Sequence, residues 1–114
     1  MNHNRSGKSA RGSSVFFVAC GLLILASCSR FYRGEQARAD EIKKLSHQSF
    51  AEVAEPGRCQ DGCVEQEAGF AFAKKNEILQ ADNCFGKGDE DFIEGCRQYA
   101  ENIDEAYHRE VYGR

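Results

Sequence analysis

Four cysteines, Cys59, Cys63, Cys84 and Cys96, constrain this chain more than any other feature. An even set of cysteines in a small exported chain favours two disulfides, each adding about 2–4 kcal/mol where residues are too few to build a large core. Connectivity has three forms. Cys59 with Cys63 would be an i,i+4 pair on a helix, with Cβ atoms about 5–6 Å apart, beyond the roughly 3.5–4.5 Å of a bridge. The expected pairing is therefore Cys63 with Cys96 and Cys59 with Cys84, with the crossed alternative still open. Zinc is the competing use of four cysteines. The spacing lacks the paired short motifs of zinc ribbons, so no metal and no cofactor is expected.

Disulfides require export, and the N-terminus has the layout that export needs. Arg5, Lys8 and Arg11 precede an apolar run of twelve residues, Val15 to Ala26, and small residues follow it. At 1.5 Å per residue that run reaches about 18 Å, short of the roughly 30 Å hydrocarbon core that a spanning helix must cross. It suits a signal segment better than an anchor.

The run ends in Leu25-Ala26-Ser27-Cys28. This stretch resembles the lipobox of bacterial lipoproteins, with a branched apolar residue three places before cysteine and small residues between. Small side chains let the preceding peptide bond enter a membrane peptidase, and the thiol takes the lipid. The resemblance implies that residues 1–27 are a signal peptide and that Cys28 is the lipidation site. It further implies that Cys28 is the first mature residue, with a thioether-linked diacylglycerol and an acylated amino group of the palmitate type. Ser29 stands where an aspartate favours inner-membrane retention in that family, so the implied location is the outer membrane facing the periplasm. Phe17-Val18-Ala19-Cys20 has a bulky aromatic three places upstream and almost no apolar run before it, so Cys20 reads as an ordinary residue of the discarded segment. The resemblance covers about the first quarter of the chain and does not extend to the rest.

Removing residues 1–27 leaves 87 of the 114 residues, with all 18 acidic residues and 12 of the 15 basic ones, a net charge of −6. That balance argues against nucleic acid, whose binding rests on clustered cations. Residues 28–34 read as a lipidated tether whose Arg30 and Arg33 could meet anionic headgroups. Residues 35–114 read as one small all-α domain of three helices stapled by two disulfides.

The first helix is expected from Glu35 to Glu55, with Ile42, Leu45, Ser49 and Val53 on one stripe and Phe50 beside it, before Pro56-Gly57 breaks it. A second runs roughly from Asp61 to Ile78 and draws its buried face from Cys63, Phe70, Ala73 and Ile78. A loop follows, Gln80 to Glu90. The third helix opens at Asp91, three residues before Glu94, and buries Phe92, Cys96, Tyr99, Ala100, Ile103, Ala106 and Tyr107. Asp61-Gly62-Cys63 and Glu94-Gly95-Cys96 look alike, and a glycine inside a helix costs about 1 kcal/mol relative to alanine, so both predict close helix approach.

No catalytic residues are singled out. His47 and His108 are isolated, and no motif selects a pair among the many carboxylates. Asp82, Asp89, Glu90 and Asp91 lack the alternating order of a calcium loop and read as solvated helix-start charges. Phe70 and Phe72 lie two apart, so one helix cannot bury both on one face. Phe72 is the binding candidate, touching another element or a partner. The expected function is a non-enzymatic structural or partner-binding module, tied to the membrane by its N-terminal lipid and acting with another envelope protein. The alternative is a small envelope enzyme or enzyme regulator, marked by a polar cleft holding a histidine with a carboxylate.

Overall fold

The computed structural model describes residues 28–59 and 62–113. The expectations for the signal peptide and for Cys20 lie outside the described residues. Arg33–Arg114 form one compact unit, and residues 28–32 do not belong to it.

The fold is all-α, with three substantial helices and two disulfides, as expected, and no strand among the described residues. Residues 28–45 are helical and form α1. Residues 28–34, expected as a tether, are therefore helical, and Gly34 is buried. A Cβ at Gly34 would lie 2.5 Å from Val111 and 2.7 Å from the Tyr107 ring, so the absent side chain permits that approach.

The expected first helix does not continue to Glu55. It ends at a turn, where Ser46 Oγ donates to the Lys43 carbonyl at 2.6 Å, and the chain restarts as the short α2, Phe50–Val53. Ser49 is the N-cap of α2 rather than a member of an apolar stripe. Its backbone N–H donates to Glu52 Oε2 at 2.6 Å, closing a capping box with the Ser-x-x-Glu spacing. Bonds from the Ser49 N–H and hydroxyl, aided by Lys74, hold the Glu52 carboxyl below its usual pKa.

Helix α3 covers Val64–Lys75 and organises this turn. Glu67 accepts from Phe50 N at 2.9 Å and Ala51 N at 2.8 Å, so a carboxylate from one helix satisfies the free donors at the start of another. Two turns further along, Lys74 Nζ donates to the Gln48 carbonyl at 2.7 Å. The end of α3 is a Schellman motif, with Ile78 N donating to Ala73 O at 2.9 Å and Glu77 N to Lys74 O at 3.4 Å. Its left-handed position, usually glycine, is Glu77 at φ 50°.

A 3-10 turn, Ala81–Cys84, lies within the expected loop and leads to α4, Glu90–Tyr112. The N-cap of α4 is Asp89, whose side chain accepts from Phe92 N at 2.9 Å, so the helix opens earlier than Asp91. Gly113 closes it in the left-handed conformation. One stripe of α4, including Cys96, Tyr99, Ala100, Ile103 and Val111, is buried. The opposite face carries i,i+4 pairs, Arg97 with Glu101 and Arg109 with Glu105.

Helices α3 and α4 cross through two glycines. A Cβ on Gly69 would overlap the Phe92 carbonyl, and one on Gly95 would overlap the Gln66 carbonyl. Gly95 therefore does mark a close approach. Gly62 does not: it lies outside the helix at φ 87° with open space around it, and Gly69 takes the matching role. The core gathers beside this crossing, with Phe70 edge-on to Phe50 at 6.4 Å and to Tyr99 at 5.5 Å.

The disulfides join Cys59 to Cys63 and Cys84 to Cys96, which corrects the expected connectivity. The reason is local backbone. Cys59 ends a turn, and Cys63 is the N-cap of α3 at φ −130°, ψ 48°, so the two never share a helix. Their Cα atoms lie 5.2 Å apart, inside the range a bridge spans. The long loop does return the chain to the first half of α3, but Cys96 faces the 3-10 turn and takes Cys84, with Cα atoms 5.8 Å apart.

Candidate functional site

Cys28 is exposed and belongs to neither bridge. Phe31 and Tyr32, close behind it in sequence, are exposed as well.

Phe72 is half-buried. Its ring meets Phe92 of α4 at 5.4 Å and packs against the core, while Phe70 turns inward to Tyr99. The two rings thus contact α4 at different places, as their spacing requires, and Phe72 has a partner within the domain.

An open groove of about 680 Å³ among the described residues has a lining that includes Arg58, Phe85, Ile93, Glu94, Arg97 and Glu101. Phe85 is 58% exposed, a large apolar ring left facing solvent. Its position follows from the Cys84–Cys96 bridge. Phe85 follows one half of that bridge and Arg97 follows the other, which brings the guanidinium 6.0 Å from the ring centroid, at the outer reach of a cation–π contact. Each cation of the groove also has a carboxylate: Arg97 bonds Glu101 at 2.8 Å, and Arg58 reaches from the Cys59 turn to pair with Glu94 of α4. The result is a shallow, mixed surface with one apolar ring at its edge. Periodicity could not reveal it, because Phe85 lies in a loop; the correct pairing of Cys84 with Cys96 would have.

The other candidates are scattered. His47 is exposed at the end of α1, and exposed His108 lies 3.5 Å from Asp104 along the outer face of α4. Asp89 caps a helix, and no cluster of three metal-binding side chains occurs among the described residues. Tyr99 has a raised pKa, first because burial disfavours its phenolate and then because Glu77 is near. Its ring is a core element and does not line the groove. No helix among the described residues is long and apolar enough to cross a membrane. Comparisons with protein-family models, curated proteins and solved structures find no significant match to this chain.

Proposed function

We propose that this protein is a lipid-anchored bacterial envelope protein whose helical domain serves as a structural or partner-binding module at the outer membrane, facing the periplasm. The observation that carries the reading is Leu25-Ala26-Ser27-Cys28 at the end of a short apolar run, with the Cys28 thiol exposed and outside both bridges. A single myristoyl chain holds a protein only marginally, whereas two or three chains on one residue, at about 0.8 kcal/mol per buried methylene, anchor it in effect permanently. The domain then works within reach of the membrane.

The exposed Phe85 favours a binding role. Phe85 directly follows the buried Cys84–Cys96 bridge, which anchors the adjoining backbone, and aromatic side chains dominate binding energy in protein interfaces.

The anchor is tested by metabolic labelling with a palmitate analogue and membrane fractionation of the native protein and Cys28→Ala. Label and membrane retention are expected for the native protein and lost in the variant; an unlabelled native protein, or a variant that keeps its label, overturns the reading. The binding role is tested with a photo-cross-linking residue in place of Phe85 or of the exposed Val64 on α3. A discrete adduct in cells at the first position alone, abolished by Arg97→Glu, supports it. Equal adducts at both positions, or none, contradict it.

A further inference from the structure

The two disulfides differ in what surrounds them. Cys84 and Cys96 are both 0% exposed within the core. A donor thiol can reach that bridge only after the domain opens. Cys59 is half-buried at the end of a turn whose residues Glu55, Pro56, Gly57 and Arg58 are all exposed. Cys63, 6% exposed, is its inner partner and the N-cap of a twelve-residue helix whose first turn receives no side-chain cap. A half-buried cysteine joined to a more buried one at a helix N-terminus suits exchange. The outer atom can be attacked, and the helix N–H groups favour negative charge on the inner one.

We propose that Cys59–Cys63 is a thiol–disulfide exchange site for an external dithiol, whereas Cys84–Cys96 is an inert staple. A donor thiolate attacks Cys59 Sγ, forming a donor–Cys59 bond while the bond to Cys63 breaks, and the electron pair leaves on Cys63 Sγ. The donor's second thiolate then attacks the donor sulfur of this mixed disulfide and releases Cys59 as a thiolate. The donor becomes a disulfide, the protein gains two electrons, and the two protons lost by the donor end on Cys59 and Cys63. The Arg58 carbonyl, 3.7 Å from Cys63 Sγ, accepts from the resulting thiol. The bridge closes a sequence separation of only 4, and the Arg58–Glu94 pair still ties its turn to α4, so the helices persist when it opens.

The test treats the native full-length protein with graded dithiothreitol, quenches with acid, alkylates free thiols and maps them by mass spectrometry. Cys59 and Cys63 should become labelled at reductant concentrations at least tenfold below those that label Cys84 and Cys96, with the far-UV helical signal unchanged across that first step. With glutathione, a monothiol, the mixed adduct should sit on Cys59. The Cys59→Ser/Cys63→Ser double variant should lose the first step and keep the second. Simultaneous labelling of all four cysteines, earlier labelling of Cys84 and Cys96, or an adduct on Cys63 would overturn the proposal.

Discussion

Replacing Gly95 with alanine tests the packing of this domain most severely, because two effects of opposite sign meet there. Alanine is the better helix former by about 1 kcal/mol, so helix propensity alone predicts a more stable protein. The crossing predicts the reverse. A Cβ on Gly95 would lie 2.6 Å from the Gln66 carbonyl carbon and 2.8 Å from its Cα. Carbon atoms pack at about 3.5–4.0 Å, so α3 and α4 must separate by about 1 Å. The obstacle is backbone, which cannot rotate away as a side chain can. Gly69 meets the same situation from the other helix, 2.7 Å from the Phe92 carbonyl carbon and 3.0 Å from Cys96 N. Overpacking costs about 1–3 kcal/mol, and backbone against backbone belongs at the upper end, which leaves a net loss of about 2 kcal/mol. For a domain of this size that lowers Tm by about 8–16 °C, read from helical ellipticity during heating under oxidising conditions. Gly69→Ala should behave alike, and the double variant should lose less than the two combined, since one separation relieves both overlaps. A Tm for Gly95→Ala at or above that of the native protein would refute the crossing.

Glu67→Ala should cost about 2 kcal/mol by removing the acceptor for Phe50 N and Ala51 N, and should speed hydrogen exchange at those two amides before others. Glu77→Gly should instead stabilise the protein by up to about 1 kcal/mol, because glycine relieves the left-handed strain at φ 50°; a lower Tm would count against the Schellman assignment. The lowered Glu52 pKa stabilises the fold above the unfolded value of 4.5, and this contribution is lost as pH falls through the folded value. Stability measured against pH should decline on that acid side, less steeply in Glu52→Gln. Tyr99 has the opposite sign: its raised pKa contributes fully below 10.0 and is lost as pH rises through the folded value. Phenolate absorbance should therefore show one tyrosine titrating late.

What could be read from sequence depended on the range of the interaction. The apolar stripe of α4 is a local, periodic property, so helical spacing alone selects Cys96, Tyr99, Ala100 and Ile103, all of which are buried. The break between α1 and α2 was also written locally, as Ser49-x-x-Glu52, but the apolar spacing of Leu45, Ser49 and Val53 suggested a continuous helix. The carboxylate of Glu67, sixteen and seventeen residues away, completes that break, and no spacing rule anticipates it. The cysteine pairing eludes the i,i+4 rule because that rule assumes one helix through both residues, whereas Cys59 ends a turn and Cys63 is the cap of α3. The groove is missed in consequence, since Phe85 and Arg97 become neighbours only when Cys84 pairs with Cys96. Of the two similar tripeptides, Gly95 lies in a helix and Gly62 in a turn, so matching residues did not mean matching structure.

The most direct test of the account is the intact mass of the protein extracted from membranes, measured alone and after thiol alkylation with and without reduction. A chain that begins at Cys28, carries acyl mass and exposes four alkylatable cysteines only after reduction is the predicted result. An unlipidated chain beginning elsewhere, or one whose thiols alkylate without reduction, would contradict it.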